Sequence, residues 1–245
     1  MSLLEVKNVC KSFGGLQALK DVSMAIMKGE ILSLIGPNGS GKTTLINVIT
    51  GFYKPDSGNV IFNGKIITNL KPHKICKLGI ARTFQIVRPL KKMTVEDNVL
   101  AGLLFGRKRL DIKEAKREVD KILELTGLYG KKGQIVENLT MIDKRRLELA
   151  RALACDPILV LADEVMAGLT PTEVNWVVEV LKRIREELGI TFLIVEHVMS
   201  AVMQISDRVV VLNQGEIIAD GKPEDVVKDE NVIKAYLGGW EDVGS

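Results

Sequence analysis

Apolar residues fall along this chain in three rhythms, and the order of the rhythms is informative. Residues 3 to 30 hold two short strand patterns around Phe13, Gly14 and Gly15, which predicts a hairpin with glycine at its turn. Ile31 to Ile35 is a short buried-strand run, and Thr44 to Ile49 after it has helical spacing. A second hairpin is expected where Asn63-Gly64 separates Asn59 to Phe62 from Lys65 to Thr68, because Asn-Gly suits a type I′ turn. From about Thr94 to Leu153 the pattern becomes helical, with Thr94 and Asp97 as a capping pair and Gly127 and Gly130 as breakers. Buried-strand runs return at Ile158 to Ala162 and Ile190 to Val195, separated by the helical stretch Glu173 to Leu188. A last hairpin, Arg208 to Leu212 and Glu216 to Ala219 around Gly215, precedes short helical patterns that end near Tyr236.

This order predicts one α/β domain over residues 1 to 245, with a mostly parallel core sheet. An antiparallel β part is expected at approximately 1–30 and 58–70, a helical subdomain at approximately 94–153, and the rest of the α/β core with C-terminal helices at 154–245. Composition changes this picture little. Hydrophobic residues at 46% and charged residues at 27% suit a globular protein, and a net charge of +3 with dispersed basic residues implies no nucleic acid and no anionic membrane surface. The stretch from Arg107 to Lys121 mixes signs and reads as a solvated helix face. Cys10, Cys76 and Cys155 are far apart, odd in number and without metal-ligand spacing, so no disulfide framework is expected and a reducing cytosol fits. The opening MSLLEVKNV reads as a strand rather than a signal peptide. No apolar run reaches the roughly eighteen residues of a membrane span, so a membrane role requires a partner.

Candidate chemistry concentrates in GPNGSGKTT, residues 36 to 44, which places Gly36, Gly41, Lys42 and Thr43 on the spacing of a phosphate-binding loop between strand and helix. In that setting Gly36, Asn38, Gly39, Ser40, Gly41 and Thr44 offer backbone N–H groups to phosphate oxygens, Pro37 shapes the same loop, and the helix N-terminus adds partial positive charge. Lys42 is expected to reach the β and γ phosphates and Thr43 to bind Mg²⁺. A P-loop nucleotide hydrolase also needs carboxylates, and ILVLADE places Asp163 and Glu164 at the end of a buried strand, where open α/β sheets bind ligands. Asp163 suits the Mg²⁺ shell and Glu164 the polarisation of an attacking water. Standing alone, the two acids would read as caps of the next element.

With the loop and the acids together, the chain resembles an ATP-binding cassette (ABC) protein over nearly its whole length. The resemblance implies ATP and Mg²⁺ as cofactors and an ATPase coupled to transport. It implies that Phe13 stacks on adenine, that Gln85 in RTFQ contacts Mg²⁺ and water and signals to a transmembrane partner, and that His197 after TFLIVE contacts the γ-phosphate. LINVITGFYKPDSG, GIARTFQIVRPLKKMTVEDNVLAG, EIIADGKPEDV and AYLG are similar to the ATP-binding subunits of branched-chain amino acid importers. The implied partners are transmembrane permease subunits, a second ABC ATPase subunit and, indirectly, a solute-binding protein, with no nucleic acid. The implied location is the cytoplasmic face of the membrane, as a peripheral subunit. A groove beside Gln85 is the expected docking place, and the run Val99 to Phe105 is expected to be core. Two other classes stand beside this one: a soluble ABC ATPase of nucleic-acid repair or translation, and a nucleotide sensor that does not hydrolyse.

The chain departs from that family at its signature, LSGGQ, where it has Leu139, Thr140, Met141, Ile142 and Asp143. Side chains at Met141 and Ile142 are expected to obstruct the close approach to phosphate that glycine permits, although the Thr140 hydroxyl remains. Thr140 and Asp143 form a capping pair, so the helix satisfies its own first N–H groups. Asp143 is also expected to repel a γ-phosphate, by up to about 4 kcal/mol for unit charges ~4 Å apart at an effective dielectric of ~20. Val165, Thr170 and Val198 replace a usual Pro, Asp and acid, while Thr170, Pro171 and Glu173 preserve a helix start. These departures imply a heterodimer with one hydrolysing site and one that mainly binds.

Overall fold

The structure, a computed structural model, describes residues 2–83 and 89–237. In chain order, β1 (Ser2–Phe13), β2 (Leu16–Met27) and β3 (Ile31–Ile35) lead into α1 (Lys42–Ile49), β4 (Ser57–Phe62) and β5 (Lys65–Ile66). Next come α2 (Pro72–Leu78), β6 (Ile80–Arg82), α3 (Val95–Phe105), α4 (Ile112–Leu125), two single 3₁₀ turns, and α5 (Met141–Ala154). The chain continues with β7 (Leu159–Asp163), α6 (Pro171–Leu188), β8 (Thr191–Val195), α7 (Met199–Ile205), β9 (Arg208–Asn213), β10 (Glu216–Gly221), α8 (Pro223–Val226) and α9 (Glu230–Leu237). Two compact units contain these elements, one of Met1–Pro72 with Thr191–Ser245 and one of His73–Ile190.

The first unit has two sheets. One is antiparallel, in the order β2-β1-β4-β5, and its turns are the two anticipated: Gly14 after β1, and Asn63-Gly64 with both φ positive, at 49° and 74°, as a type I′ turn demands. The other places β3 between β8 and β9 in parallel pairing, with β10 antiparallel at the edge. Every residue of β3 and β8 is buried, which explains their unbroken apolar character. Ile35, the last residue of β3, belongs to an apolar cluster with Val209 and Val211 of β9 and with Val226 and Val232 of the C-terminal helices. The residue after Ile35 opens the phosphate loop, so this cluster fixes the loop's origin.

The second unit pairs β6 and β7 in parallel and wraps α3, α4 and α5 around a core that includes Val99, Leu103, Val119, Leu123 and Leu147. Val99 and Leu103 thus join the core as expected, but Phe105 at the end of the same run is 77% exposed. Thr94 caps α3 in a full capping box with Asp97, and Thr170 caps α6 in another with Glu173, with Pro171 in the first turn. Neither α2 nor the three-residue β6 was anticipated. Among the described residues no helix is long and apolar enough to cross a membrane.

Candidate nucleotide site

The loop from Gly36 to Gly41 connects β3 to α1, and glycine is needed at both ends for different reasons. Gly36 has φ +149°, and a Cβ there would meet the Leu212 carbonyl oxygen at 2.0 Å. Gly41, at φ +109°, would meet the Ala18 carbonyl oxygen at 2.5 Å. Side chains are excluded at these points by the fold itself. Gly39, at φ +78°, has nothing within 4 Å of its missing Cβ, so the crest of the loop is open to a ligand. Two backbone bonds anchor the loop, from Gly215 N–H to the Ser40 carbonyl at 2.9 Å and from Lys20 N–H to the Gly215 carbonyl at 2.8 Å.

Lys42 is buried in the first turn of α1, and its ammonium donates to the Gly36 and Pro37 carbonyls, both at 2.8 Å, and to Ser40 Oγ at 3.3 Å. The loop therefore holds its own cation against itself. Tyr236 of α9 lies beside Gly36, and burial raises its phenol above its ordinary value, an effect the Gly36 backbone N–H only partly offsets. Tyr236 was not anticipated as a site residue. Only its place in AYLG, a run that ATP chemistry does not require, distinguished it in the sequence.

A cavity of about 550 Å³ opens beside the loop, lined among others by Phe13, Gly39, Gly41, Lys42, Thr43 and Thr44. Phe13 is 42% exposed at its rim, with Tyr53 set edge-on at 5.2 Å and the Lys11 ammonium 5.4 Å from its ring centroid. An exposed ring supported from below suits stacking on a planar base. Thr43 is exposed in the first turn of α1. Convergent amides, a cation and an open crest fit a polyphosphate, and the threonine oxygens are hard donors of the kind Mg²⁺ takes. His197 follows β8 in the same unit and is exposed. Val198, where the family has an acid, is the N-cap of α7 and gives it no side-chain cap.

In the second unit, β7 ends on Asp163, which is 2% exposed. The Arg82 guanidinium donates to its carboxylate at 2.7 Å, and its N–H donates to the Thr83 hydroxyl at 3.2 Å. Arg82 went unremarked in the sequence because nothing local links β6 to β7. Glu164 follows with φ 51°, a left-handed conformation uncommon for a side-chain-bearing residue, and is half-buried. Gln85 lies outside the described residues, and so does the groove expected beside it.

The departures from the signature read differently in three dimensions. Thr140 caps α5 as expected, accepting from Asp143 N–H at 3.3 Å. Asp143, however, is only 2% exposed, with the Lys131 ammonium at 2.5 Å, Thr140 Oγ at 2.6 Å and Arg146 at 3.6 Å. Burial pushes its carboxyl up, but the Lys131 bond, the Thr140 hydroxyl and the two cationic charges outweigh it, and the net direction is down. The expectation of an Asp143 charge repelling phosphate is thereby corrected. Its anion is neutralised within the unit by a lysine that precedes the signature. Ile142 turns to a narrow apolar slot also lined by Val165 and Trp176, with the Arg146 guanidinium 3.9 Å above the indole centroid. Met141 is 66% exposed. Of the two side chains expected to obstruct, Met141 is the one that projects.

Comparison with known proteins agrees with this assembly of parts. The family model for the ABC transporter matches residues 19–167, and one for the branched-chain amino acid ATP-binding cassette transporter matches residues 216–239. The chain belongs to the ABC transporter family. This cassette is 40% identical to the high-affinity branched-chain amino acid transport ATP-binding protein LivG of Escherichia coli, over 96% of this chain and 98% of that one. It is 39% identical to the corresponding protein BraF of Pseudomonas aeruginosa, over 96% and 98%. Among solved structures, an ABC transporter cassette in its ADP conformation superposes with a TM-score of 0.89 at 37% identity, covering 97% of this cassette and 99% of that chain.

Proposed function

We propose that this cassette is the ATP-hydrolysing subunit of a membrane importer for branched-chain or related amino acids. The observation that carries the solute class is the match of residues 216–239, beyond the part that ATP chemistry requires, to the branched-chain amino acid model. In this reading residues 1–245 form one cassette, peripheral at the cytoplasmic face of the membrane, with a helical subdomain at about 94–153. It works with transmembrane permease subunits, a second ABC ATPase subunit and, indirectly, a solute-binding protein.

The reaction is in-line attack of water on the γ-phosphate of ATP. Phe13 holds the base, and the loop amides with Lys42 stabilise the charge that develops on the phosphate oxygens. Thr43, Asp163 and Gln85 would hold Mg²⁺, which would neutralise charge on the phosphate oxygens. Glu164 orients the water and accepts its proton. His197 donates to the transferring group. Arg82 holds the Asp163 carboxylate in place through its guanidinium, whose planar, bidentate-capable fork fixes a carboxylate better than an ammonium does.

The lost signature glycines support a heterodimer. The partner's intact signature completes the site built on Lys42, Glu164 and His197, while the partner's own ATP meets Met141 and a self-capped α5. Purification of the assembled complex tests the function. The expected result is co-purifying permease chains and ATP hydrolysis that rises with a solute-binding protein loaded with leucine, isoleucine or valine. Recovery of the cassette with no transmembrane chain would reject it.

A further inference from the structure

The parallel pairing of β6 with β7 brings together two cysteines that are remote in sequence. Ile80 pairs with Leu159, and Cys76 and Cys155 stand at the same offset ahead of those two residues. The Gly79 carbonyl accepts from both Ile158 N–H at 2.7 Å and Leu159 N–H at 3.0 Å. A Cβ on Gly79 would meet Ile158 at 2.9 Å, so the two segments approach as closely as glycine allows. The thiols of Cys76 and Cys155 are close enough that each is the largest influence on the other's titration. Cys155 Sγ donates to the Arg151 carbonyl oxygen at 3.5 Å. Both cysteines are only partly buried, which leaves them open to a small oxidant.

We propose that Cys76 and Cys155 are a reversible disulfide site, oxidised within one chain by a hydroperoxide. The two thiols have unequal roles. The neighbouring Cys155 thiol, against burial and with help from Lys77, brings the Cys76 thiol down to about 7, close to the value at which an attacking thiol is most effective at neutral pH. The Cys76 sulfur beside it, and then burial, push the Cys155 thiol up, so it remains protonated until it is needed.

The Cys76 thiolate attacks one peroxide oxygen and breaks the O–O bond, giving a sulfenic acid on Cys76 and an alkoxide that takes a proton to become the alcohol. Cys155 sulfur then attacks the Cys76 sulfur. The S–O bond breaks, its hydroxyl leaves as water with the Cys155 proton, and the S–S bond forms. Two thiols give up two electrons and the hydroperoxide accepts them. Cys155 is the C-cap of α5, the helix that begins with the signature segment, and Cys76 lies on α2 just ahead of the strand leading to Gln85. The bond would therefore tie those two segments at their roots.

The test uses the full folded chain, treated with hydrogen peroxide at neutral pH and measured by intact mass and peptide mapping. The expected result is the loss of two hydrogens, reversed by dithiothreitol, with one cross-linked peptide pair containing Cys76 and Cys155. Cys76→Ser and Cys155→Ser should each abolish the product, and Cys10→Ser should leave it unchanged. Oxidation should accelerate through pH 7. Two free thiols after treatment, or a product that depends on Cys10, would overturn the proposal.

Discussion

Lys131 is the residue whose removal most directly exposes how the altered signature is stabilised. Its ammonium lies 2.5 Å from the Asp143 carboxylate, which is 2% exposed. Taking one partner from a fully buried pair costs about 3–5 kcal/mol, because a charge is left buried and uncompensated. Lys131 is itself 43% exposed, so water can replace part of what it gives, and Arg146 at 3.6 Å and Thr140 at 2.6 Å remain. The discounted expectation for Lys131→Met, which keeps the aliphatic stem, is about 1–2 kcal/mol of lost stability at neutral pH. The pH dependence has a definite sign. The folded Asp143 carboxyl is lowered, so its contribution is complete above the unfolded value of about 4 and disappears as pH falls through the folded value. Urea unfolding of the two proteins at neutral pH and at steps down the acid limb should show the gap closing with acidification. A gap below about 0.5 kcal/mol at neutral pH, or one that persists unchanged in acid, would refute the account of a masked Asp143.

Other substitutions probe the nucleotide site. Gly36→Ala should cost about 3 kcal/mol or more, since its Cβ would sit 2.0 Å from the Leu212 oxygen at φ +149°; a thermal melt unchanged from the wild type would contradict it. Phe13→Ala should weaken ATP by about 0.5–1.5 kcal/mol while leaving the affinity for inorganic triphosphate unchanged, and equal losses for both ligands would sink the stacking role. Arg82→Met should destabilise the fold by about 3 kcal/mol or more by leaving Asp163 buried without its cation, measured by urea unfolding.

Much of the frame was legible because its signals are local. Gly14 and Asn63-Gly64 announce their turns through backbone conformations that few other residues adopt. Three of the capped helices announce their starts through residues three apart, Thr94 with Asp97, Thr140 with Asp143, and Thr170 with Glu173. The phosphate loop is legible for the same reason, since its glycines, lysine and threonine are nearly contiguous. The illegible features all depend on pairing across the chain. A strand as short as Ile80–Arg82 has no periodicity and is defined only by β7 beside it. The Arg82 clamp on Asp163 and the Lys131 mask over Asp143 each join residues whose own neighbourhoods say nothing of one another. The sign of a local electrostatic argument can therefore reverse. From the sequence Asp143 is an anion that repels phosphate; the fold supplies its cation.

The central claim is that this cassette's own ATP is the one hydrolysed. Its most direct measurement is single-turnover ATP hydrolysis by the assembled transporter, with Glu164→Gln in this chain or with the matching glutamate changed in its partner. Loss of the general base here should slow hydrolysis by about 10²–10⁴-fold, with nucleotide binding retained and the partner's substitution leaving most of the activity. Equal losses from the two substitutions would contradict it.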